Sequence, residues 1–209
     1  MTTTLPDGEG GFPGNRTLTA RFTVQDTTLH LTLTATTDAP TLMNLANHSY
    51  WNLGPYATTA GHSLTIAADH YLPGDPATTI PTGEIRTVSG TGFDYRKPRP
   101  IRAGQEGLLD LNFCLSTQRQ TLRPVATLTG PTGIRMTMAT TELGLQLFDG
   151  HITGMANTND LDGKPTQDYA GLALEAQFWP DAPNNPGFPD ITLQPNQSWT
   201  QQTSWTFTR

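Results

Sequence analysis

The sequence contains little charge and only one cysteine. Of its 209 residues 14% are charged, and the formal net charge is −6. It therefore lacks the clustered Lys and Arg that a nucleic-acid groove or an anionic membrane surface requires. Cys114 has no second cysteine for an internal disulfide, which argues against a disulfide-stapled domain. We expect no nucleic-acid or membrane partner, and a neutral small molecule fits better as the ligand.

Long apolar runs and long helical patterns are also missing. No segment approaches ~18 consecutive apolar residues, and the N-terminus lacks the basic start and apolar stretch of a secretory signal. We therefore expect a cytoplasmic protein. The length, with 35% hydrophobic residues, fits a single globular domain over residues 1–209.

The pattern that is present is an alternation of apolar and polar residues with the period of a half-buried strand. Its clearest example is residues 18–24 and 29–35, separated by a turn, which predicts a β-hairpin with one core face. Similar runs occur at 63–67, 125–128, 134–140, 144–148, 169–176 and 199–207. These runs predict an all-β fold, an antiparallel β-sandwich or a barrel-like pair of sheets.

Residues 44–53 concentrate amides, a histidine, a hydroxyl and two aromatic rings in ten positions. Asn47 and His48 can exchange hydrogen bonds with hydroxyl groups, and Tyr50 or Trp51 can offer a ring face to the C–H side of a sugar. This composition suits a polyol ligand. The alternative is that His48 is a structural histidine with its hydrogen bonds satisfied and Trp51 a core residue.

Within residues 172–181, Glu175 ends an otherwise apolar strand. A carboxylate buried there without a partner would be costly, so Glu175 either has a partner or faces a wet cleft. Desolvation would raise its pKa and make it a better base. The alternative is a carboxylate at a strand end that is simply solvated.

The remaining candidates carry weaker signals. Asp110 is a polar residue in an apolar stretch and could accept hydrogen bonds from ligand hydroxyls, or could be a turn aspartate. His62, His70 and His151 lack the paired spacing of a zinc site, so we expect no metal. Cys114 lies in an apolar run and is predicted to be a core residue.

Several ordered motifs resemble those of the aldose 1-epimerase (galactose mutarotase) family across essentially the whole chain. Residues 47–53, Asn-His-Ser-Tyr-Trp-Asn-Leu, are similar to the family's Asn-His-Ser-Tyr-Phe-Asn-Leu. The most specific match is Glu-Ala-Gln at 175–177, followed by Pro-Asp-Ala-Pro-Asn-Asn-Pro-Gly-Phe-Pro at 180–189. Further similar stretches are residues 6–15, 71–83 and 90–98.

The resemblance implies a large antiparallel β-sandwich that interconverts the α and β anomers of free hexoses such as galactose or glucose, without a cofactor. It places the catalytic base at Glu175 and the catalytic acid at His48. It places a sugar-binding carboxylate at Asp110, although Leu111 follows where the family usually has His.

Three more residues of these motifs are expected to bind substrate. They are Asn47 and Tyr50, from the first motif, and Gln177, from the Glu-Ala-Gln motif. Together with Glu175, His48 and Asp110 they form the predicted site.

The chain departs from the family in length. The part without a counterpart is the family's N-terminal portion, before the motif that begins here at Pro6. That portion supplies a second active-site histidine and a substrate-binding arginine. We therefore expect unpaired sheet edges and an exposed apolar face, covered by a separate N-terminal half or by a second copy of the chain in a homodimer.

Other functions remain open at this point. A carbohydrate-binding module would keep the groove without complete proton-transfer groups. A hexose-phosphate epimerase would need arginines at the pocket, and the dense group is Arg96, Arg99 and Arg102. A glycosidase would use Glu175 and Asp110 as paired carboxylates.

Overall fold

The chain folds almost entirely as strands and loops. The structure is a computed structural model and describes residues 1–101, 109–152, 159, 163 and 165–209. In these ranges the helical elements are two short 3₁₀ turns, Glu9–Gly11 and Ala182–Asn184. A membrane-crossing helix, long and apolar enough for the task, is not found among the described residues.

The larger sheet has eight strands, and each neighbouring pair is antiparallel. In spatial order they are β1 (Thr2–Leu5), β2 (Arg16–Gln25), β3 (Thr28–Thr37), β16 (Trp199–Thr208), β12 (Arg135–Thr140), β11 (Arg123–Thr129), β6 (Ser63–Ile66) and β9 (Arg99–Pro100). The β2–β3 hairpin confirms the prediction for residues 18–35.

The smaller sheet has six strands, also antiparallel. In spatial order they are β5 (Tyr50–Trp51), β14 (Leu172–Gln177), β13 (Gly144–Phe148), β10 (Asp110–Cys114), β7 (His70–Leu72) and β8 (Arg86–Thr87). A two-stranded ladder joins β15 (Thr192–Leu193) to β4 (Thr41–Leu42). Strands as short as β5 and β8 carry too few residues for a period of two to be visible in the sequence.

The two main sheets pack face to face around one hydrophobic core. Leu31 and Leu33 of the larger sheet belong to the same buried cluster as Leu145 and Leu174 of the smaller sheet. The predicted antiparallel β-sandwich is therefore confirmed. Cys114, predicted to be core, is only half-buried and packs at the edge of a second, smaller cluster. Its burial raises the pKa of its thiol to about 12.

The six-stranded sheet is buried on both faces at its centre. In β14, Leu172, Leu174 and Ala176 point into the core, and Ala173 and Glu175 on the opposite face are also buried. The opposite face carries the polar residues of the candidate site, and loop residues such as Thr79 and Pro180 lie against them at the cavity. Burial on both faces explains why the sequence of β14 is nearly continuously apolar.

Candidate active site

Three polar side chains form a row across the middle of the six-stranded sheet. Glu175 of β14 stands opposite Gln146 of β13, which stands opposite Asn112 of β10. Directly opposite residues of antiparallel strands share a face, so the three side chains point the same way. A cavity of about 260 Å³ lies over this row, and its walls include Asp110 and Gln177. Its volume lies just below the range of drug-sized pockets and suits a ligand of one sugar ring.

His48 and Glu175 come together at this site. The Nε2 of His48 lies 3.3 Å from Oε1 of Glu175. The side chain of His48 is 50% exposed, whereas that of Glu175 is 10% exposed. The alternative of a simply solvated Glu175 therefore does not hold, and His48 is half exposed with Glu175 as its partner.

Burial controls the ionisation of Glu175. Its desolvation raises the pKa above the ordinary value of 4.5, the negative charge of Asp110 raises it further, and the nearby His48 opposes both effects. A carboxyl group with a raised pKa is a stronger base than an ordinary Glu. The structure therefore holds a basic carboxylate in contact with an imidazole that reaches solvent.

Gln146 is a site residue that the sequence did not single out. Its Nε2 donates a 2.7 Å hydrogen bond to Oδ1 of Asp110. Its Oε1 is buried and has no hydrogen-bond partner among the described residues, which leaves it able to accept from a ligand hydroxyl. The only signal in the sequence was a polar residue inside the apolar strand at 144–148; its position opposite Glu175 depends on strand pairing.

Tyr50 lies on an aromatic cluster at one end of the site. Its ring centroid is 5.0 Å from that of His48, and both rings lie 6.2 Å from the ring of Phe148. Burial, followed by the charges of Glu175 and Asp110, raises the pKa of the Tyr50 phenol. The hydroxyl therefore stays protonated at neutral pH and can donate or accept a hydrogen bond.

Two of the other predicted binding residues, Asp110 and Gln177, line the cavity. Asp110 opens β10 and pairs with Phe148, so it lies in a strand instead of a turn. The side-chain oxygen of Asn47 accepts a hydrogen bond from the backbone N–H of Ser49, which shapes the chain just before β5. This contact supports the loop, and substrate binding by Asn47 stays a prediction.

The loop that carries His48 is tied to the strand that carries Glu175. Oδ1 of Asn44 accepts a 2.9 Å hydrogen bond from the backbone N–H of Phe178, and its Nδ2 donates at 3.3 Å to the carbonyl of the same residue. The amide of Asn44 thus joins the two segments by two hydrogen bonds. Sequence reasoning placed Asn44 in the polar cluster but gave it no role.

Two of the three arginines considered for phosphate binding lie away from the cavity over Glu175. Arg96 pairs with Asp94 and Asp69, and the guanidinium of Arg99 lies over the ring of Tyr95. Neither residue lines the cavity over Glu175. Arg102 lies outside the described residues. Carboxylates that already neutralise Arg96 leave it poorly suited to hold a phosphate.

Comparison with known sequences gives the same family over nearly the full chain. The sequence profile of the family described as aldose 1-epimerase matches residues 1–206. Human galactose mutarotase is 34% identical over 206 residues, covering 96% of this chain and 59% of the relative. The aldose 1-epimerase of Escherichia coli K12 is 33% identical over 216 residues, covering 96% of this chain and 61% of the relative.

Solved structures agree. A Caenorhabditis elegans homologue of the aldose epimerases superimposes with a TM-score of 0.87 at 30% identity, covering 100% of this chain and 65% of the other. A galactose 1-epimerase from Lactobacillus acidophilus gives 0.79 at 30% identity, with 99% and 61% covered. The chain thus spans about three fifths of the length of the curated relatives it matches. From the family profile and the shared fold, the chain belongs to the aldose 1-epimerase family.

Proposed function

We propose that this chain carries the acid and base groups that interconvert the α and β anomers of a free aldohexose. The observation that supports the proposal most directly is the contact between the exposed imidazole of His48 and the buried carboxylate of Glu175, which lines the cavity. Anomer exchange requires a base at the C1 hydroxyl and an acid at the ring oxygen O5, which is bonded to the same carbon, C1.

In the proposed reaction, Glu175 removes the proton from the C1 hydroxyl while His48 donates a proton to the ring oxygen. The C1–O5 bond breaks, and its electron pair stays on the oxygen that His48 protonates, leaving an open-chain aldehyde. After rotation about C1–C2, the hydroxyl on C5 attacks the other face of the carbonyl. His48 recovers its proton and Glu175 returns the other to the new C1 hydroxyl, so both groups end as they began.

Neutral, hydroxyl-rich substrates fit the other groups around the cavity. Asp110 and the free Oε1 of Gln146 are hydrogen-bond acceptors, and Gln177 brings both a donor and an acceptor. The names galactose mutarotase and galactose 1-epimerase of the relatives support a hexose as the substrate class. Glu175 is buried, so a negatively charged ligand beside it would place two like charges in a poorly solvated site, which is unfavourable.

Polarimetry tests this proposal. Freshly dissolved α-D-glucose or α-D-galactose changes its optical rotation slowly in buffer, and the chain should accelerate the change. Positioned acid–base catalysis contributes about 10² to 10⁴-fold in rate. A rate equal to that of buffer, with hexose binding intact, would leave a carbohydrate-binding module as the function. A glycosidase would use Glu175 and Asp110 as a pair of carboxylates. Here the partner of Glu175 is His48, and Asp110 accepts a hydrogen bond from Gln146, so the contacts do not favour that function.

We also propose that another polypeptide covers one face of this chain. On β2, Ala20 and Phe22 stand opposite Leu33 and Leu31, which are buried in the core, so all four share the core face. Yet Phe22 is 42% exposed, and Val24 on the same face is 75% exposed. Two largely apolar clefts of about 460 and 250 Å³ run along this side of the molecule. Exposed apolar surface of this kind marks an interaction site.

The smaller sheet ends where this apolar face begins. Its edge strand β5 pairs with β14 on one side, and Trp51 of β5 packs on Trp205 and Phe207 of β16. The sheet thus reaches β16 and, within the described residues, does not extend over β2. Strands added beside β5 would cover β2 and lie next to His48. We propose that this position is filled by a polypeptide equivalent to the part of the relatives that this chain does not match, about two fifths of their length. The alternative is a second copy of this chain. A cytoplasmic location stays a prediction.

A further inference from the structure

A second imidazole lies beside the candidate site. The ring centroid of His151 is 5.1 Å from that of Phe148, the ring that also contacts His48 and Tyr50. Phe148 in turn pairs with Asp110 across the β10–β13 ladder. His151 and two residues of the site, His48 and Tyr50, therefore contact one aromatic side chain, and Asp110 is its partner in the ladder.

The backbone that carries His151 is held in place on both sides. The N–H of Asp149 donates a 3.0 Å hydrogen bond to the carbonyl of Leu109, which prolongs the pairing of β13 with β10. Gly150 then adopts a φ of 73°, a left-handed conformation that glycine accepts readily, and the chain turns there. The carbonyl of Gly150 accepts a 2.8 Å hydrogen bond from the N–H of Tyr169, shortly before β14.

A buried carboxylate fixes the orientation of the His151 ring. Asp149 is 1% exposed, and its Oδ1 accepts hydrogen bonds from the backbone N–H of His151 at 3.1 Å and from Nδ1 of the same residue at 2.8 Å. Burial raises the pKa of Asp149, and the hydrogen bond from His151 opposes this effect. Because an ionised carboxylate only accepts, the proton of the neutral imidazole stays on Nδ1 and Nε2 is left as an acceptor.

The ring is also open to a ligand. The side chain of His151 is 21% exposed, while that of Asp149 is 2% exposed. A carboxylate that holds one nitrogen of an imidazole and leaves the other outward is the arrangement by which proteins orient a histidine toward a bound group. The mechanism at Glu175 and His48 does not use this pair.

We propose that His151 binds a hydroxyl group of the hexose on the part of the sugar remote from C1, with Asp149 as its positioning residue. Nε2 of His151 accepts the hydroxyl proton. Glu175 and His48 hold C1 and its two oxygens. The ring of Phe148 contacts both His48 and His151, and Phe148 pairs with Asp110 of the cavity wall. On this side of the site a hydroxyl remote from C1 would meet His151. The inference rests on the proposed function, because it takes the same sugar as ligand.

Equilibrium binding tests this inference separately from catalysis. Titration calorimetry with D-galactose and D-glucose should show that His151→Ala weakens the binding of at least one sugar by about 3- to 10-fold, the contribution of one hydrogen bond. Asp149→Asn keeps the side-chain shape without the charge, and should weaken binding by the same factor or less. His30→Ala is the matched control, since His30 lies opposite Ser204 on the outer face of the larger sheet and should leave affinity unchanged.

A series of deoxy sugars locates the contact and guards against a folding defect. For the analogue that lacks the contacted hydroxyl, wild type and His151→Ala should bind with equal affinity, whereas a variant that merely unfolds in part would lose affinity for every analogue. His151→Gln, which retains an acceptor, should restore part of the affinity. Equal binding of all sugars by wild type and His151→Ala overturns the inference and leaves the proposed reaction intact. Sugar binding without any catalysis contradicts the reaction alone.

Discussion

The imidazole nitrogen Nε2 of His48 lies 3.3 Å from Oε1 of Glu175, although the two residues belong to a loop and a strand far apart in the chain. The loop is fixed by the amide of Asn44, which bonds both backbone groups of Phe178 just beyond β14. The acid and the base of the proposed reaction therefore owe their proximity to backbone contacts as well as to their own attraction.

Glu175→Gln should abolish catalysis while keeping sugar binding. The amide has nearly the shape of the carboxylic acid but cannot take a proton from the C1 hydroxyl, so the rate should fall by about 10² to 10⁴-fold. Polarimetry measures the rate, and calorimetry measures the affinity for D-galactose. Glu84→Gln is the matched control, because Glu84 is exposed and pairs with Arg86 outside the cavity over Glu175. Full activity of Glu175→Gln would contradict the assignment of the base.

The acid limb of the pH–activity profile should follow Glu175. Because burial raises its pKa, the base form is lost on acidification at a pH above the ordinary value of 4.5, and kcat/KM should fall through that midpoint. The charge of Asp110 contributes to the shift, so Asp110→Asn should move the midpoint to lower pH even if its total activity is reduced. A midpoint that Asp110→Asn leaves in place would show that another group controls this limb.

Asn44→Ala should lower both stability and kcat. It leaves the backbone N–H and carbonyl of Phe178 without their partners, which costs about 1 to 3 kcal/mol when such groups are buried. It also loosens the loop that holds His48. Asn44→Asp retains the acceptor and loses the donor, so its effect should be smaller. Thermal unfolding gives the stability, and polarimetry gives kcat. A stable Asn44→Ala variant with normal kcat would contradict this positioning role.

Gly144→Ala should disturb the centre of the six-stranded sheet. A Cβ at Gly144 would lie 2.5 Å from Oδ1 of Asn112 and 3.1 Å from its Nδ2. Since Asn112 is 1% exposed it has little room to move, and we expect a destabilisation of about 1 to 3 kcal/mol. Gly187→Ala is the control, because a Cβ there meets no atom within 4 Å. Denaturant unfolding compares the stabilities of the two variants. Equal stabilities would mean that the side chain of Asn112 moves freely to make room for the new Cβ.

The exposed face of β2 should control self-association. With its apolar face uncovered, the isolated chain should associate as its concentration rises, and light scattering should show a mass above that of the monomer. Replacing both Phe22 and Val24 with Ser should return it to a monomer. Thr23→Ser is the control, since Thr23 lies on the opposite face of β2. A wild-type chain that stays monomeric at all concentrations, like the double variant, would contradict an interaction face.

Most of the long strands could be predicted because their periodicity is local. The hairpin over residues 18–35 and the strands at 135–140, 144–148 and 199–208 follow from apolar side chains at every second position. Strand β10 was not among the predicted strands, although its residues Asp110 to Phe113 alternate between polar and apolar. Its five residues give only a short stretch of this pattern. That the chain is one domain stays a prediction.

The residues of the candidate site also divide into those that local sequence reveals and those that depend on tertiary structure. Glu175, His48 and Asp110 could be predicted as candidates because polar residues within apolar stretches, and a resemblance in short motifs, are visible along the chain. Gln146 and His151 were missed because their place depends on which strand pairs with which, and on the turn at Gly150. Asn47 was predicted to bind substrate from its motif, and this stays a prediction; its side-chain oxygen accepts a hydrogen bond from the N–H of Ser49.

The sequence by itself determined the fold class and the kinds of chemical group available, since alternation, composition and short motifs are properties of neighbouring residues. Only the tertiary structure decided which groups meet and how they ionise. Burial of Glu175 beside Asp110, the contact with His48 and the uncovered core face of β2 all arise from packing between segments distant in the chain. The pKa of a carboxyl group and the exposure of an apolar side chain depend on what surrounds them, and those surroundings exist only once the sheets have assembled.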